Sequence, residues 1–498
     1  MSGKAQYDVA EAVAGASLAA ARNGFRFLAR GCSGRGWSPI ALVGGHEEVL
    51  LPGDRSPDAD VAGDCRDYRG VAVPSELGRL AGSAGFPLGR YMYANGRRKG
   101  ELRLPEEDLF RHCAVIGPPG SGKTAGIMVP WIHAALESGA SVVTVDVKGD
   151  LRRSLRPPSS VRRWIWNPFD RPASGSWNWL ASLRTIRDVE AAVASLLGKK
   201  NPSDANPYFY DRDVRWLRAL IRITHRMRGQ GAVTADLYAL VGDQNLLLQA
   251  FRVNSGLRDL AGDVADLTGM LPDEHSRAVS GLLNALHVFE APDVRAVTVR
   301  SDFDLPDIDS APTLLIVGAP LSGGIAAETL SGVILGQLIS ALFRRFQAGD
   351  GGLRRPIYLI LDEAPRYHKR IGLEELLAVG RSARVGVCLA AQDVTQFGDS
   401  ATAILANCST TMVLPGASAA SAQAFASSLG KRVEREVSVG RDAHFLSLPA
   451  GRVQKTTRTV LVPVLQEREI MHPPIGPYCA TVQVKHTSSK PFLVDIQR

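Results

Sequence analysis

The segment 112–130 reads HCAVIGPPGSGKTAGIMVP, in which an apolar burst runs into a glycine-rich loop and then into a helix-like stretch. The loop fits the pattern G-x-x-x-x-G-K-[ST] in full. Glycines let the backbone wrap closely around phosphates, and the helix that follows directs its positive end at the same anion. A chance glycine-rich turn is the competing interpretation. We predict a nucleotide-binding loop made of Gly117, Pro118, Pro119, Gly120, Ser121, Gly122, Lys123 and Thr124.

Two residues of this loop carry the expected chemistry. The side chain of Lys123 supplies a mobile positive charge for the β- and γ-phosphates, and the Thr124 hydroxyl is placed to bind Mg²⁺. The predicted cofactors are therefore ATP and Mg²⁺.

The rest of the chain repeats the strand-then-helix rhythm around this loop. Apolar bursts occur at SVVTVDVK (141–148), TLLIVGAP (313–320), IYLILDEA (357–364), VGVCLAAQ (385–392) and TTMVLPG (410–416). Such a rhythm predicts an α/β fold with a parallel central sheet and helices on both faces.

The strand bursts disappear in the middle of the chain. There, DVRWLRALIRITHRM (213–227) has the wide apolar stripe of a buried helix. We predict an all-α domain at 184–300, inserted into a nucleotide-binding motor domain at 101–183 and 301–498. Residues 1–100 are rich in Gly, Pro and Ala and are predicted to form a loop-rich N-terminal region.

Three further segments bear on the sheet edge and on membranes. The tail segments from VLVPVL at 460 onward alternate like antiparallel strands at a sheet edge. Charged residues interrupt the Ala-rich stretch 9–28, which predicts a short amphipathic helix and no convincing membrane span. The apolar run 311–343 is expected to be a buried strand followed by a packed helix, the alternative being a membrane span.

A second acidic site follows the apolar burst at 358–361. Asp362 is predicted to hold Mg²⁺ and Glu363 to polarise the attacking water, as expected of an ATPase with an additional strand between its two motif strands. We predict that this strand is TLLIVGAP (313–320) or lies near it. Gln392 closes a later burst and is expected to report the γ-phosphate. The competing interpretations are a solvated strand end and an ordinary exposed glutamine.

Arginines just before the strands are candidates for action on a neighbouring subunit. Arg381 and Arg384 precede the burst at 385–392, and Arg111 precedes the first motif strand. An arginine that reaches a neighbour's γ-phosphate would stabilise charge in the transition state. A solvated surface role is equally compatible with the sequence.

Composition bounds the remaining possibilities. The 498 residues include 58 Lys and Arg against 50 Asp and Glu, a formal net charge of +8, and 45% hydrophobic residues, which excludes wholesale disorder. Six cysteines without a C-x-x-C pair argue against a disulfide framework or a zinc site. The basic stretches 96–103 and 148–163 are candidate contacts to a phosphate backbone, or plain solvated loops.

Several stretches together resemble the coupling ATPases of type IV secretion and bacterial conjugation, the VirD4/TraG/TraD family. They are Arg111-His112 before the loop, VDVKGDL (145–151), WNPFD (166–170), the block from LILDEA to LAAQDVTQF, and ILANCSTTMVLPGAS (404–418). The likeness covers roughly 85–498.

The resemblance implies a RecA-like motor domain, a homo-hexamer with ATP sites between neighbours, and Arg381 as the most plausible trans-acting arginine. It implies ATP-driven delivery of DNA, DNA–relaxase complexes or effector proteins to the components of a secretion channel. Typical members begin with two transmembrane helices. In this sequence, residues 1–100 contain no convincing span. We therefore expect a cytoplasmic protein that associates with the membrane through partners, including a separate anchor protein. An FtsK/HerA-type DNA translocase and a nucleotide-gated adaptor with little catalysis are the alternatives.

Overall fold

The computed structural model describes residues 70–497, with gaps at 83, 94–95, 199–206, 347–353, 442–452 and 474–477. The helix predicted at 9–28 lies outside the described residues. The strands are β1 (Phe86–Met92), β2 (Arg98–Leu104), β3 (Cys113–Ile116), β4 (Ser141–Asp146), β5 (Arg162–Trp166), β6 (Thr313–Gly318), β7 (Ile357–Leu361), β8 (Val385–Ala391), β9 (Thr410–Val413), β10 (Lys431–Arg441), β11 (Val453–Pro463), β12 (Cys479–Val484) and β13 (Phe492–Asp495).

Within the described residues, eleven of these strands form one mixed sheet in the order β2-β1-β13-β12-β9-β3-β8-β7-β4-β6-β5. The seven strands from β9 to β5 are parallel, and the other four continue the sheet as antiparallel neighbours. The predicted α/β fold with a parallel central sheet is confirmed.

The central strands are buried along their whole length because both faces of the sheet are covered. In β3, Ala114 and Ile116 belong to one buried core, whereas Cys113 and Val115 belong to a second core on the opposite face. A strand with two buried faces has no polar side to alternate with, which explains the continuous apolar bursts.

The additional strand is not the one that the sequence indicated. The expectation that 313–320 lies between the two motif strands was wrong, since β8 pairs with β3 on one side and β7 on the other. The residues 313–318 form β6, which pairs with β4 and β5. An apolar burst shows that a strand is buried, but carries no signal for which neighbour it will pair with.

The antiparallel edge also differs from the sequence interpretation. The stretch 86–100, predicted as part of a loop-rich region, instead forms most of β1 and β2 of the main sheet. The tail strands β12 and β13 lie in this edge as predicted. The segment VLVPVL begins in β11 instead, which pairs with β10 in a separate two-stranded sheet. Residues Val433–Leu461 of that hairpin belong to a different compact unit from Arg55–Arg432 and Val462–Arg498.

Helices connect the strands of the large unit. The α-helices are α1 (Glu106–Leu109), α2 (Val129–Glu137), α3 (Asp150–Ser154), α4 (Ile186–Leu197), α5 (Pro207–Arg228), α6 (Thr234–Gly242), α7 (Gln244–Val253), α8 (Ala265–Gly269), α9 (Pro272–Ala278), α10 (Ser280–Leu286), α11 (Pro292–Thr298), α12 (Gly324–Phe343), α13 (Leu373–Val379), α14 (Ala401–Asn407), α15 (Ala419–Leu429) and α16 (Glu467–Met471).

The apolar run 311–343 forms β6 and then α12, as predicted. In the described part of the chain, one helical stretch, Leu321–Phe346, is long and apolar enough to cross a membrane, and 78% of its most apolar window is buried inside the protein. Its composition follows from its position, because α12 packs against the sheet on one side and α4 on the other.

Between β5 and β6 the described residues form helices and turns without a strand, from α4 to α11. The first of these helices begins with a capping box in which the Thr185 hydroxyl accepts from the backbone N–H of Asp188. The Asp188 carboxylate accepts in turn from the hydroxyl of Ser340 at 2.6 Å, which ties α4 to α12. The domain limits at 184 and 300 remain a prediction.

Candidate active site

The predicted phosphate loop connects β3 to a helix that begins with a π-helical turn, Lys123–Met128, and continues into α2. Gly120 and Gly122 have φ angles of +78° and +93°, a left-handed conformation that favours glycine. A Cβ on Gly117 would lie 2.7 Å from the Cβ of Leu414, so this position also excludes a side chain. The sequence of the loop is therefore required by its backbone path.

Lys123 is held at the mouth of the loop. Its side chain is buried, and its ammonium group donates hydrogen bonds to the carbonyl oxygens of Gly117 and Pro118, the latter at 3.1 Å. Burial lowers the pKa of Lys123 below its ordinary value. The carboxylates of Glu363 and Asp362 oppose this shift.

The predicted metal ligands lie next to each other. The Thr124 hydroxyl donates a hydrogen bond to Oδ2 of Asp362 at 3.1 Å, across 238 positions of sequence. Burial raises the pKa of Asp362, and the charge of Glu363 raises it further, against the Thr124 hydrogen bond and the Lys123 charge. A bound cation would reverse this balance by favouring the ionised carboxylate.

Glu363 and Gln392 form the other half of the site. Glu363 follows β7 with a φ angle of +48°, a strained conformation for a residue with a side chain. Its Oε1 accepts a hydrogen bond from Nε2 of Gln392 at 2.9 Å. Gln392 is brought there by β8, whose last residue, Ala391, accepts from the backbone N–H of Gly117 at 3.1 Å. The additional strand therefore places the predicted γ-phosphate sensor against the predicted base.

Two neighbours of the site were not identified as site residues from the sequence. The hydroxyl of Tyr367 donates to the backbone oxygen of Asp362 at 2.6 Å, and this tyrosine is fully buried. The charge of Lys148 lowers the pKa of Lys123, which places a second cation near the loop. Lys148 lies in the VDVKGDL stretch, which could have indicated it, whereas no motif marks Tyr367.

The predicted trans-acting arginines lie at the opposite edge of the sheet from the phosphate loop. Arg381 is exposed in a 3₁₀ turn, Gly380–Ala383, before β8, and Arg111 precedes β3. At about 3.3 Å per residue, the six residue steps from Arg111 to Gly117 span at most roughly 20 Å. Neither arginine can reach the phosphate loop of its own chain.

Arg384 is engaged within its own chain. Its guanidinium lies 3.5 Å from the Glu106 carboxylate and 5.6 Å from the centre of the Phe110 ring. These contacts make Arg384 a weaker candidate than Arg381 for action on a second subunit.

The two basic stretches are partly neutralised by acidic partners. Arg98 lies 2.7 Å from a carboxylate oxygen of Asp495, and Arg152 pairs with Asp170. Their positive charge is therefore less available to a phosphate backbone than the sequence indicated.

The parallel sheet, the loop after β3 and the acidic pair after β7 define a P-loop nucleotide-binding protein of the RecA-like class. A family model, the type IV secretory system conjugative DNA-transfer family, matches residues 77–472. The chain belongs to this family, which confirms the resemblance seen in the sequence.

Known proteins are similar to this chain in fold or in sequence. The conjugative coupling protein TrwB has a solved structure that matches with a TM-score of 0.61 and 17% identity over 86% of this chain and 92% of that one. VirB4 of Thermoanaerobacter pseudethanolicus matches with a TM-score of 0.52 and 12% identity over 84% of this chain and 98% of that one. Type 4 coupling protein DotL of Legionella pneumophila is 27% identical over 162 residues, a match that spans 29% of this chain and 20% of DotL.

Proposed function

We propose that this chain hydrolyses ATP with Mg²⁺ and uses the energy to drive DNA, DNA–protein or protein substrates toward a type IV secretion or conjugation channel. The observation that carries the proposal is the meeting of three distant segments at one sheet edge, namely Lys123 with Thr124, Asp362 with Glu363, and Gln392. TrwB has been solved with ADP and Mg²⁺ and with a non-hydrolysable ATP analogue, which supports the choice of nucleotide and metal.

The loop would bind the phosphates through its backbone N–H groups and through Lys123. The lysine ammonium already points at the mouth of the loop, where it donates to two carbonyl oxygens. An incoming phosphate would exchange these neutral acceptors for anionic ones, which adds the attraction between opposite charges to each hydrogen bond.

The residues at the predicted metal position fit Mg²⁺. The hydroxyl of Thr124 and the carboxylate of Asp362 are hard oxygen donors, the type that Mg²⁺ prefers, and their mutual hydrogen bond shows that they are close enough to share one ion. When bound, Mg²⁺ neutralises charge on the β- and γ-phosphates.

Glu363 would act as the general base. Its carboxylate is buried and fixed by the amide of Gln392, so it can accept a proton from a water aligned with the γ-phosphate. The strained backbone at Glu363 aims this carboxylate into the site, a common use of strain in catalytic centres.

A homo-hexamer would complete the site by bringing Arg381 of one subunit to the nucleotide of the next. The exposure of Arg381 and its distance from the phosphate loop of its own chain support action between subunits. Relaxase or effector proteins and channel components are the expected partners. We further propose a cytoplasmic location, with attachment to the membrane through a separate anchor protein.

The test is ATP turnover across a series of protein concentrations, with and without single-stranded DNA. The wild-type chain should show turnover per subunit that rises steeply with concentration and is stimulated by DNA. Lys123→Ala should lose at least about 100-fold in turnover, since removing a preorganised donor to developing charge costs about that much. Robust turnover by Lys123→Ala would contradict the assignment. Nucleotide-dependent substrate binding without turnover would favour the adaptor.

A further inference from the structure

A group of basic side chains lies at the edge of the sheet opposite the phosphate loop. The ends of β12, β9, β3 and β8 meet there as consecutive neighbours. The backbone N–H of Ser409 donates to the oxygen of Arg111 at 2.8 Å, and the N–H of Lys485 donates to the oxygen of Ser409 at 3.0 Å. Arg111, before β3, and Lys485, after β12, are therefore separated by the single strand β9. His486 follows Lys485 in the chain.

The charges of this group act on one another. The slight desolvation of the exposed His486 ring lowers its pKa, and the charges of Arg111, Arg381 and Lys485 lower it further, against the opposing charge of Asp108. Arg111, Arg381 and Lys485 therefore lie close enough to His486 for their charges to act on it, although the four residues come from three separate segments. We call Arg111, Arg381, Lys485 and His486 the cationic edge.

Asp108 is the acidic residue whose charge acts at the cationic edge, and it opposes the charges of three basic residues. Within the described residues, none of its four members forms an ion pair with a carboxylate. Lys485 donates to the carbonyl oxygens of Leu405 and Ala406 at 3.2 and 3.4 Å, which holds its ammonium in place without cancelling its charge. Lys490, six residues after Val484, is different because it pairs with Glu76 at 2.8 Å.

A compact, multiply charged anion fits this arrangement best. Nucleic acid spreads one charge per 1.7 Å or so of its axis and is usually met by cations along a track, not at one point. The terminal phosphates of a nucleotide concentrate their charge, and their transfer requires added positive charge in the transition state. The chain's own phosphate loop is roughly 20 Å away by the strand length given above.

We propose that the cationic edge receives the terminal phosphates of the nucleotide held by a second copy of this chain, and that Lys485 and His486 contact those phosphates together with Arg381 and Arg111. This inference rests on the proposed function. It adds two residues from the far end of the sequence to the site between subunits.

The first experiment measures turnover of the double variant Lys485→Gln/His486→Gln. Both side chains are exposed, so the fold should be retained. We expect turnover at high protein concentration to fall about tenfold or more, with the nucleotide affinity of dilute protein unchanged. Lys490→Gln removes a positive charge from the same loop between β12 and β13 and should leave turnover unaltered. Wild-type turnover by the double variant would overturn the proposal.

The second experiment mixes subunits. Lys123→Ala supplies an intact cationic edge and the double variant supplies an intact phosphate loop, so mixtures should exceed the summed activity of the two proteins alone. The absence of recovery would refute the assignment of Lys485 and His486 to a neighbour's site.

Two controls separate this inference from the proposed function. Arg381→Ala mixed with Lys123→Ala tests the site between subunits itself: if that pair recovers and the double variant does not, only the present inference fails. If neither recovers, the shared active site fails as well. A double variant that keeps turnover without DNA but binds a labelled oligonucleotide more weakly would make the cationic edge a nucleic-acid contact and would refute the proposal.

Discussion

The contact between Glu363 and Gln392 leads to a quantitative prediction. The amide of Gln392 donates to the Glu363 carboxylate at 2.9 Å in a buried site, and hydrogen bonds to charged groups contribute about 1.5–3 kcal/mol. If this bond serves to orient the base, Gln392→Ala should lower turnover at saturating ATP by about 10- to 150-fold, at 1.36 kcal/mol per factor of ten. Glu363→Gln removes the base but keeps the shape, and should cost about 10²- to 10⁴-fold.

The double variant separates two roles for Gln392. If Gln392 acts by orienting Glu363, adding Gln392→Ala to Glu363→Gln should lower phosphate release by no more than about threefold, because effects within one network are not additive. If Gln392 reads the γ-phosphate independently, the two losses should multiply. Multiplied losses would therefore refute the orienting role. Nucleotide affinity, measured alongside, should be unchanged in all three variants.

Two further predictions concern stability. Burial alone would raise the pKa of Asp188, but the hydrogen bond from Ser340, the backbone hydrogen bonds from Arg184 and Thr185 and the charge of Arg344 together hold the pKa below its ordinary value. Asp188→Asn should therefore unfold at lower denaturant concentration at pH 7. Its deficit against wild type should shrink as the pH falls from about 4, the ordinary pKa of an aspartate in the unfolded chain, through the lower pKa of the folded state; a deficit that is independent of pH would contradict this. Gly318→Ala should destabilise by about 1–3 kcal/mol, because its Cβ would lie 2.2 Å from Cγ of Asn167; an unchanged melting temperature would show that this contact relaxes freely.

The sequence was sufficient for those parts of the site that depend on local pattern. The residue types of the loop 117–124 are determined by its backbone conformation and by phosphate binding. Both requirements fall on consecutive residues, so they can be recognised in the sequence. Asp362, Glu363 and Gln392 could be found because each closes an apolar burst and therefore lies at the carboxyl edge of the sheet.

Features that depend on tertiary pairing could not be predicted. The order of β8, β7 and β4 is set by how buried strands pack against each other, and all three are buried throughout. The strand β1 was missed because FPLGRYM contains a proline and a glycine, which are depleted in strands. Tyr367 acts through one hydrogen bond to a backbone oxygen, an interaction that no spacing of residue types reveals.

The strand β8 connects a candidate residue for the site of a second subunit, Arg381, to a residue of its own site, Gln392. It begins beside the turn that carries Arg381, ends immediately before Gln392, is buried along all of its seven residues, and is hydrogen-bonded to β3 and β7. A strand held in this way cannot shift at one end without moving the other. If Arg381 of one subunit contacts the nucleotide of a second subunit, hydrolysis of that nucleotide would change the position of Gln392 in the subunit that carries Arg381. A ring of such subunits would then have a built-in means of timing, in which each hydrolysis event prepares the next.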